Sequence, residues 1–218
     1  ASATPLPCPA GTFMPATGDM SLDQCRSCSV GAYCPSPATT APTLCAAGTY
    51  QPTTGADNNS SCLDCPAGAF CGADGLKEYT SCSPGTWSSV VGAKSASACK
   101  ACPPGTYSVL TSATNQSLCV ACDAGTYSTV SGAASATTCQ TCPAGFYCPS
   151  ASATPLPCPA GTFMPATGAM SLDQCRSCFV GAYCPSNATT APTLCAAGTY
   201  QPTTGAINVS RCLGCPAG

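Results

Sequence analysis

Apolar positions in this chain come in short bursts and never in long runs. A Gly is followed two residues later by an aromatic, a polar Ser/Thr-rich stretch comes next, and the pattern starts again. The aromatics placed this way are Phe13, Tyr33, Tyr50, Phe70, Trp87, Tyr107, Tyr127, Tyr147, Phe163, Tyr183 and Tyr200. No stretch sustains a helical period, whereas the Thr-Tyr or Ala-Tyr couplets suit short strands. The Gly ahead of each couplet suits a tight turn or a backbone with positive φ. The stripe of rings reads as one aromatic packed on each cysteine bridge, a miniature core. A platform for a ligand is the alternative.

The bursts are spaced by a repeat. Long units, each ending in C-x2-C, occupy 9–28, 46–65, 83–102, 103–122, 123–142, 159–178 and 196–215. Short units, with a Cys right after the aromatic, occupy 29–45, 66–82, 143–158 and 179–195. A longer period lies over these. Residues 151–218 restate 1–68 with seven changes: Asp19/Ala169, Ser29/Phe179, Pro37/Asn187, Asp57/Ile207, Asn59/Val209, Ser61/Arg211 and Asp64/Gly214. Residues 1–150 are thus a first long-period repeat of eight small modules, and 151–218 a partial second copy. The abrupt first and last residues suggest a segment of a longer protein.

Composition changes the picture from a globular domain to a stapled one. The sequence has 23 Cys, 21 Gly and 22 Pro in 218 residues, and few large aliphatics. Such a chain cannot bury enough apolar surface to offset its ordering entropy without covalent help. Charge is sparse, six Lys plus Arg against eight Asp plus Glu. No basic stripe invites nucleic acid, and no apolar run is long enough to span a bilayer, so neither nucleic-acid binding nor direct membrane insertion is expected.

Cysteine spacing supplies the pairing. Cys8–Cys25, Cys45–Cys62, Cys82–Cys99, Cys102–Cys119, Cys122–Cys139, Cys158–Cys175 and Cys195–Cys212 all stand at i and i+17. The remainder pair as Cys28–Cys34, Cys65–Cys71, Cys142–Cys148 and Cys178–Cys184, all at i and i+6, leaving Cys215. Its repeat equivalent, Cys65, has its partner at Cys71, so the odd cysteine reads as one whose partner lies beyond residue 218. The closed loops keep their length while the open links drift: the step from Cys34 to Cys45 is one residue longer than that from Cys148 to Cys158. Other connectivities satisfy the count, but few account for both regularities. Cys99, Cys102, Cys119 and Cys122 also have the C-x2-C-x16-C-x2-C spacing of a zinc ribbon. Against a metal, C-x2-C recurs seven times, so any grouping into fours is arbitrary, and there is no His. No cofactor or metal is expected. A disulfide ladder places the chain in an oxidising compartment, secreted or at the cell surface.

Asn58, Asn59, Asn115, Asn187 and Asn208 begin N-x-[S/T] triplets, acceptors for N-linked glycans. All but Asn187 fall shortly before a closing C-x2-C, and only one of Asn58 and Asn59 is expected to be used. Covalent glycans would cover a surface with little charge to keep it soluble.

The C-x2-C-x2-G-x-[Tyr/Phe] unit, as in "CPAGTF", "CKACPPGTY" and "CVACDAGTY", resembles the ephrin-receptor-like cysteine-rich repeat, related to the repeats of tumour necrosis factor receptors. The resemblance covers essentially the whole chain. It implies extracellular arrays of small disulfide-bonded β modules, like those in large surface or flagellar-hair (mastigoneme) proteins of algae and protists.

The expected fold is therefore small disulfide-rich β: an elongated tandem array of small cysteine-stapled modules with no single hydrophobic core. The expected function is structural, a component of an extracellular filament, sheath or stalk that assembles with copies of itself. A receptor or adhesin ectodomain displaying a ligand site is the alternative. An enzyme is not expected, with no His, one Glu (Glu78) and no nucleophile motif. The seven changes between the copies read as drift on exposed loops or as contacts to a neighbouring chain.

Overall fold

The computed structural model describes residues 7–15 and 21–216; of the seven differing positions, Asp19 lies outside them. The fold is small disulfide-rich β, eleven tandem hairpins that each form a separate two-stranded sheet. Every strand is two residues long. Thr12–Phe13 pairs antiparallel with Arg26–Ser27 in a long module, Phe13 facing Arg26. Ala32–Tyr33 pairs with Thr43–Leu44 in a short one. Hairpins this small are unstable alone, and in each a disulfide runs from a Cys ahead of the first strand to a Cys inside the hairpin loop, as in Cys8–Cys25 and Cys28–Cys34.

Turn chemistry sets each hairpin's opening. In the first module Thr12 donates its backbone N–H to the Pro9 carbonyl at 3.1 Å, and its hydroxyl donates to the same oxygen at 2.7 Å. Gly11, with φ of 83°, supplies the left-handed third residue of this turn. Long modules add a one-turn 3-10 helix just before the closing Cys, for example Asn59–Ser61, Ala136–Thr138 and Leu172–Gln174. Nothing in the polar Ser/Thr pattern announced these turns.

The chain divides into two compact units, one of residues 1–100 with 110–118 and one of 101–109 with 119–218. Inside each unit, successive modules are joined by the same backbone hydrogen bonds. In the first unit Gly31 N–H donates to the Gln51 carbonyl at 2.8 Å, Cys34 N–H to Ala56 at 2.9 Å, and Gly55 N–H back to Cys28 at 2.9 Å. In the second, Gly145 N–H donates to Met164 at 2.8 Å, Cys148 N–H to Ala169 at 2.9 Å, and Gly168 N–H back to Cys142 at 2.8 Å. Parallel bridges, Trp87 with Ala113 and Tyr107 with Ala133, mark the same junction. A module's polar backbone is thus satisfied by its neighbours, which fulfils the demand that buried N–H and C=O groups be paired.

No single hydrophobic core forms among the described residues. The largest fully buried side chains are all cysteines, and the other buried apolar residues are mainly alanines of the loops, such as Ala56, Ala93 and Ala113. The eleven guide aromatics are half-buried, except Tyr200, which is exposed. Phe13 packs on the cluster of Cys28, Ala32 and Cys34, so its ring reaches the bridge of the next module. Tyr147 likewise packs against the cluster of Cys158, Met164 and Ala169, at the bridge Cys158–Cys175 that follows its own.

Candidate functional site

The cysteines are the first candidates, and the structure joins them locally. Seven bridges close 17-residue spans: Cys8–Cys25, Cys45–Cys62, Cys82–Cys99, Cys102–Cys119, Cys122–Cys139, Cys158–Cys175 and Cys195–Cys212. Four close six-residue spans: Cys28–Cys34, Cys65–Cys71, Cys142–Cys148 and Cys178–Cys184. Cys215 is free and exposed. The four thiols with zinc-ribbon spacing belong to three separate bridges, Cys82–Cys99, Cys102–Cys119 and Cys122–Cys139, which leaves no thiolate set for a metal there. Eleven bridges require an oxidising environment for the chain. No helix of the described residues is long and apolar enough to cross a membrane.

The sequon asparagines are all exposed. Asn58 stands at the N-cap of its 3-10 turn, its Oδ1 accepting from the Ser60 N–H at 2.9 Å and from the Ser60 hydroxyl. Asn115 makes the same turn with Ser117, whose N–H lies 3.0 Å from Oδ1. The Ser210 hydroxyl donates to Asn208. In each case the carbonyl half of the amide is used in the turn. Asn59 is the first residue of the turn that Asn58 caps. Asn187 has a different role: its Oδ1 accepts from Ala160 N–H at 3.0 Å, across a module junction. Asp74 makes the corresponding contact with Ala47 N–H at 2.8 Å, whereas Pro37, at the matching position of the first copy, has no such side-chain acceptor.

Shallow clefts open beside the long loops. One of about 330 Å³ is lined by Met14, Pro15, Asp23, Gln24, Cys25 and Arg26. One of about 290 Å³ in the second copy uses the equivalent Met164, Asp173, Gln174 and Arg176. They offer a carboxylate, a guanidinium, an amide and a thioether, a set that can hydrogen-bond and make apolar contact. A third cleft, of about 450 Å³, lies over Gln51, Thr53, Asp57 and Ser61.

Two features escaped sequence reasoning. The residue after the aromatic is buried in every module but the first, where Met14 is half-buried, and whether it is Cys, Ser, Gln or Met, as in Cys34, Ser88, Gln51 and Met164. Gln51 ties its own loop: Nε2 donates to the Ser61 carbonyl at 2.7 Å, and Oε1 accepts from the Thr53 N–H and hydroxyl, both at 3.0 Å. Its equivalent, Gln201, keeps the Thr203 contacts at 3.2 and 3.3 Å, but its buried Nε2 has no acceptor. The available signal was positional, because a polar residue stands where the short modules carry Cys.

The aromatic stripe and the copy-to-copy changes also have definite places. Tyr50 meets Tyr79 edge-on at 5.3 Å, and Lys100 Nζ lies 5.4 Å from the centre of the Trp87 ring. Phe179, which replaces Ser29, stacks edge-on with Phe163 at 6.4 Å. Ile207, which replaces Asp57, lies close to Gly161, with Cγ2 3.1 Å from where a Cβ on that glycine would stand. Part of the apolar gain in the second copy therefore serves its own modules. A scan of protein-family models and a search of curated proteins each found no match to this chain.

Proposed function

We propose that the chain is a structural component of an extracellular filament, sheath or stalk: a glycosylated, disulfide-laddered rod that assembles with copies of itself. The observation that carries this reading is the identity of the module junctions. Inside each unit the junctions are made by the same kinds of backbone donor and acceptor whatever the side chains around them, so a module adds there without a special partner. A surface that 151–218 restates from 1–68 with seven changes offers the same contact at regular intervals, and repeated head-to-tail contacts build open assemblies. The bridges point to an extracellular or cell-surface setting. The exposed sequons supply attachment points for carbohydrate, and the ephrin-receptor-like spacing agrees with such arrays.

Electron microscopy of the purified chain tests the reading. Ordered fibres support it, and monodisperse particles at every concentration contradict it. Intact mass before and after deglycosylation tests the carbohydrate, with a drop of whole-glycan masses expected. The recurrence of the Met14–Arg26 cleft at 164–176 favours a second reading, a receptor or adhesin ectodomain displaying a ligand. That reading predicts saturable capture of a soluble ligand by particles that stay dispersed.

A further inference from the structure

The long module at 46–65 and its copy at 196–215 differ in a complementary way. Residues 51–65 carry Asp57 and Asp64 and no Lys or Arg, whereas 201–215 carry Arg211 and no Asp or Glu. All three charged side chains are exposed. Asp57 accepts from Asn58 Nδ2 at 2.7 Å, and neither carboxylate nor the Arg211 guanidinium has an ion-pair partner among the described residues. The substitutions beside Arg211 are apolar: Ile207 is 48% exposed and Val209 61%, and Leu63 in the acidic loop is 46% exposed. The basic loop is also the less tied of the two, because Gln201 lacks the cross-loop bond that Gln51 makes to Ser61.

We infer that the Ile207–Val209–Arg211 loop of one chain docks on the Asp57–Leu63–Asp64 loop of a second copy of this chain. This rests on the self-assembly reading above and gives it a specific contact. Arg211 meets the two carboxylates while Ile207 and Val209 cover Leu63, so the charges steer the encounter and the apolar groups hold it. Each chain carries one loop of each kind. The contact is therefore heterologous, and it passes from chain to chain into a ring or an open filament. Carbohydrate on Asn208 would stand between Ile207 and Val209, and carbohydrate on Asn58 or Asn59 would stand beside Asp57, so the contact belongs to chains bare at all three.

The test uses the whole chain made in the bacterial periplasm, which oxidises thiols and adds no N-linked glycan. Sedimentation velocity is measured over a concentration series, at low and high salt, for three proteins: wild type, Arg211→Asp, and Asp57→Lys with Asp64→Lys. Peptide mapping first establishes that each retains its bridges. The wild type is expected to associate, less so at high salt, and each variant alone to associate about tenfold more weakly or worse. An equimolar mixture of the two variants should recover association, because each then supplies the charge the other lost. If the wild type associates but the variants match it, or their mixture fails to recover, this contact is wrong while self-assembly stands. A wild type that stays monomeric throughout overturns both.

Discussion

Gly31 lies against the carbonyl of Gly75, two modules further along. A Cβ on Gly31 would come within 2.0 Å of that oxygen, and the residue's φ of 78° is itself left-handed. One residue therefore makes its own turn, donates its N–H to the next module, and lets the module after that approach. Gly31→Ala adds a left-handed backbone cost of about 1–2 kcal/mol to a clash with a carbonyl that is held in place. We expect a loss of at least about 2 kcal/mol in local stability, read as faster hydrogen exchange at Gly31, Cys34 and Gly55. Gly55→Ala is the control: its φ is 81°, but nothing lies within 4 Å of the added Cβ, so the left-handed cost of about 1–2 kcal/mol is expected without the clash.

The two glutamines separate a satisfied buried amide from an unsatisfied one. Met occupies the matching place in other modules, at Met14 and Met164, so it is the natural probe. Gln51→Met removes the bond to Ser61, whereas Gln201→Met relieves a buried donor with no acceptor. The first change should cost more than the second by about 1 kcal/mol. Hydrogen exchange at Cys62 and Cys212 measures the difference.

Bridges that close within a module should act within it. Replacing Cys122 and Cys139 together by Ala is expected to cost about 3 kcal/mol, and Cys142 with Cys148 about 2 kcal/mol, following the loop lengths. Both effects should fade within one or two modules, and the two changes should be close to additive when placed far apart. Exchange mass spectrometry along the chain reads this directly. Uniform loss of protection everywhere would mean a single cooperative core instead.

Ala151 stands at φ of 62°, where most modules have Gly, and its N–H donates to the Cys122 carbonyl at 3.0 Å. Ala151→Gly relieves the left-handed strain while keeping the bond, so we expect a gain of about 1 kcal/mol, seen as slower exchange at residue 151. Ala38, Ser112 and Ala188 share the conformation and should behave alike.

The bridges and turns were legible in the sequence because each leaves its mark locally: two cysteines at one of two fixed spacings, or a Gly shortly before a ring. The contacts between modules were not. Gly31 already had a sufficient reason in its turn, so its approach to Gly75 added no further sign. Ala56 and Ala93 accept the bonds from Cys34 and Cys71 through their carbonyls, and their only side-chain requirement is smallness, which a Ser/Thr/Ala-rich loop conceals. The repeat pattern puts one ring on each bridge without saying which ring meets which bridge, and Phe13 packs on Cys28–Cys34. Of the candidate sites, the sequons were visible as triplets. The Oδ1 role of Asn187 toward Ala160 was not, since it depends on which loop stacks on which turn.

Peptide mapping of the native chain without reductant tests most directly the claim beneath the rest, that every module is closed on itself before it is stacked. The account predicts only short-range links, from Cys8–Cys25 and Cys28–Cys34 through to Cys195–Cys212, with Cys215 unpaired within this chain. Recovery of links between distant modules, or of free thiols at the paired positions, would contradict it.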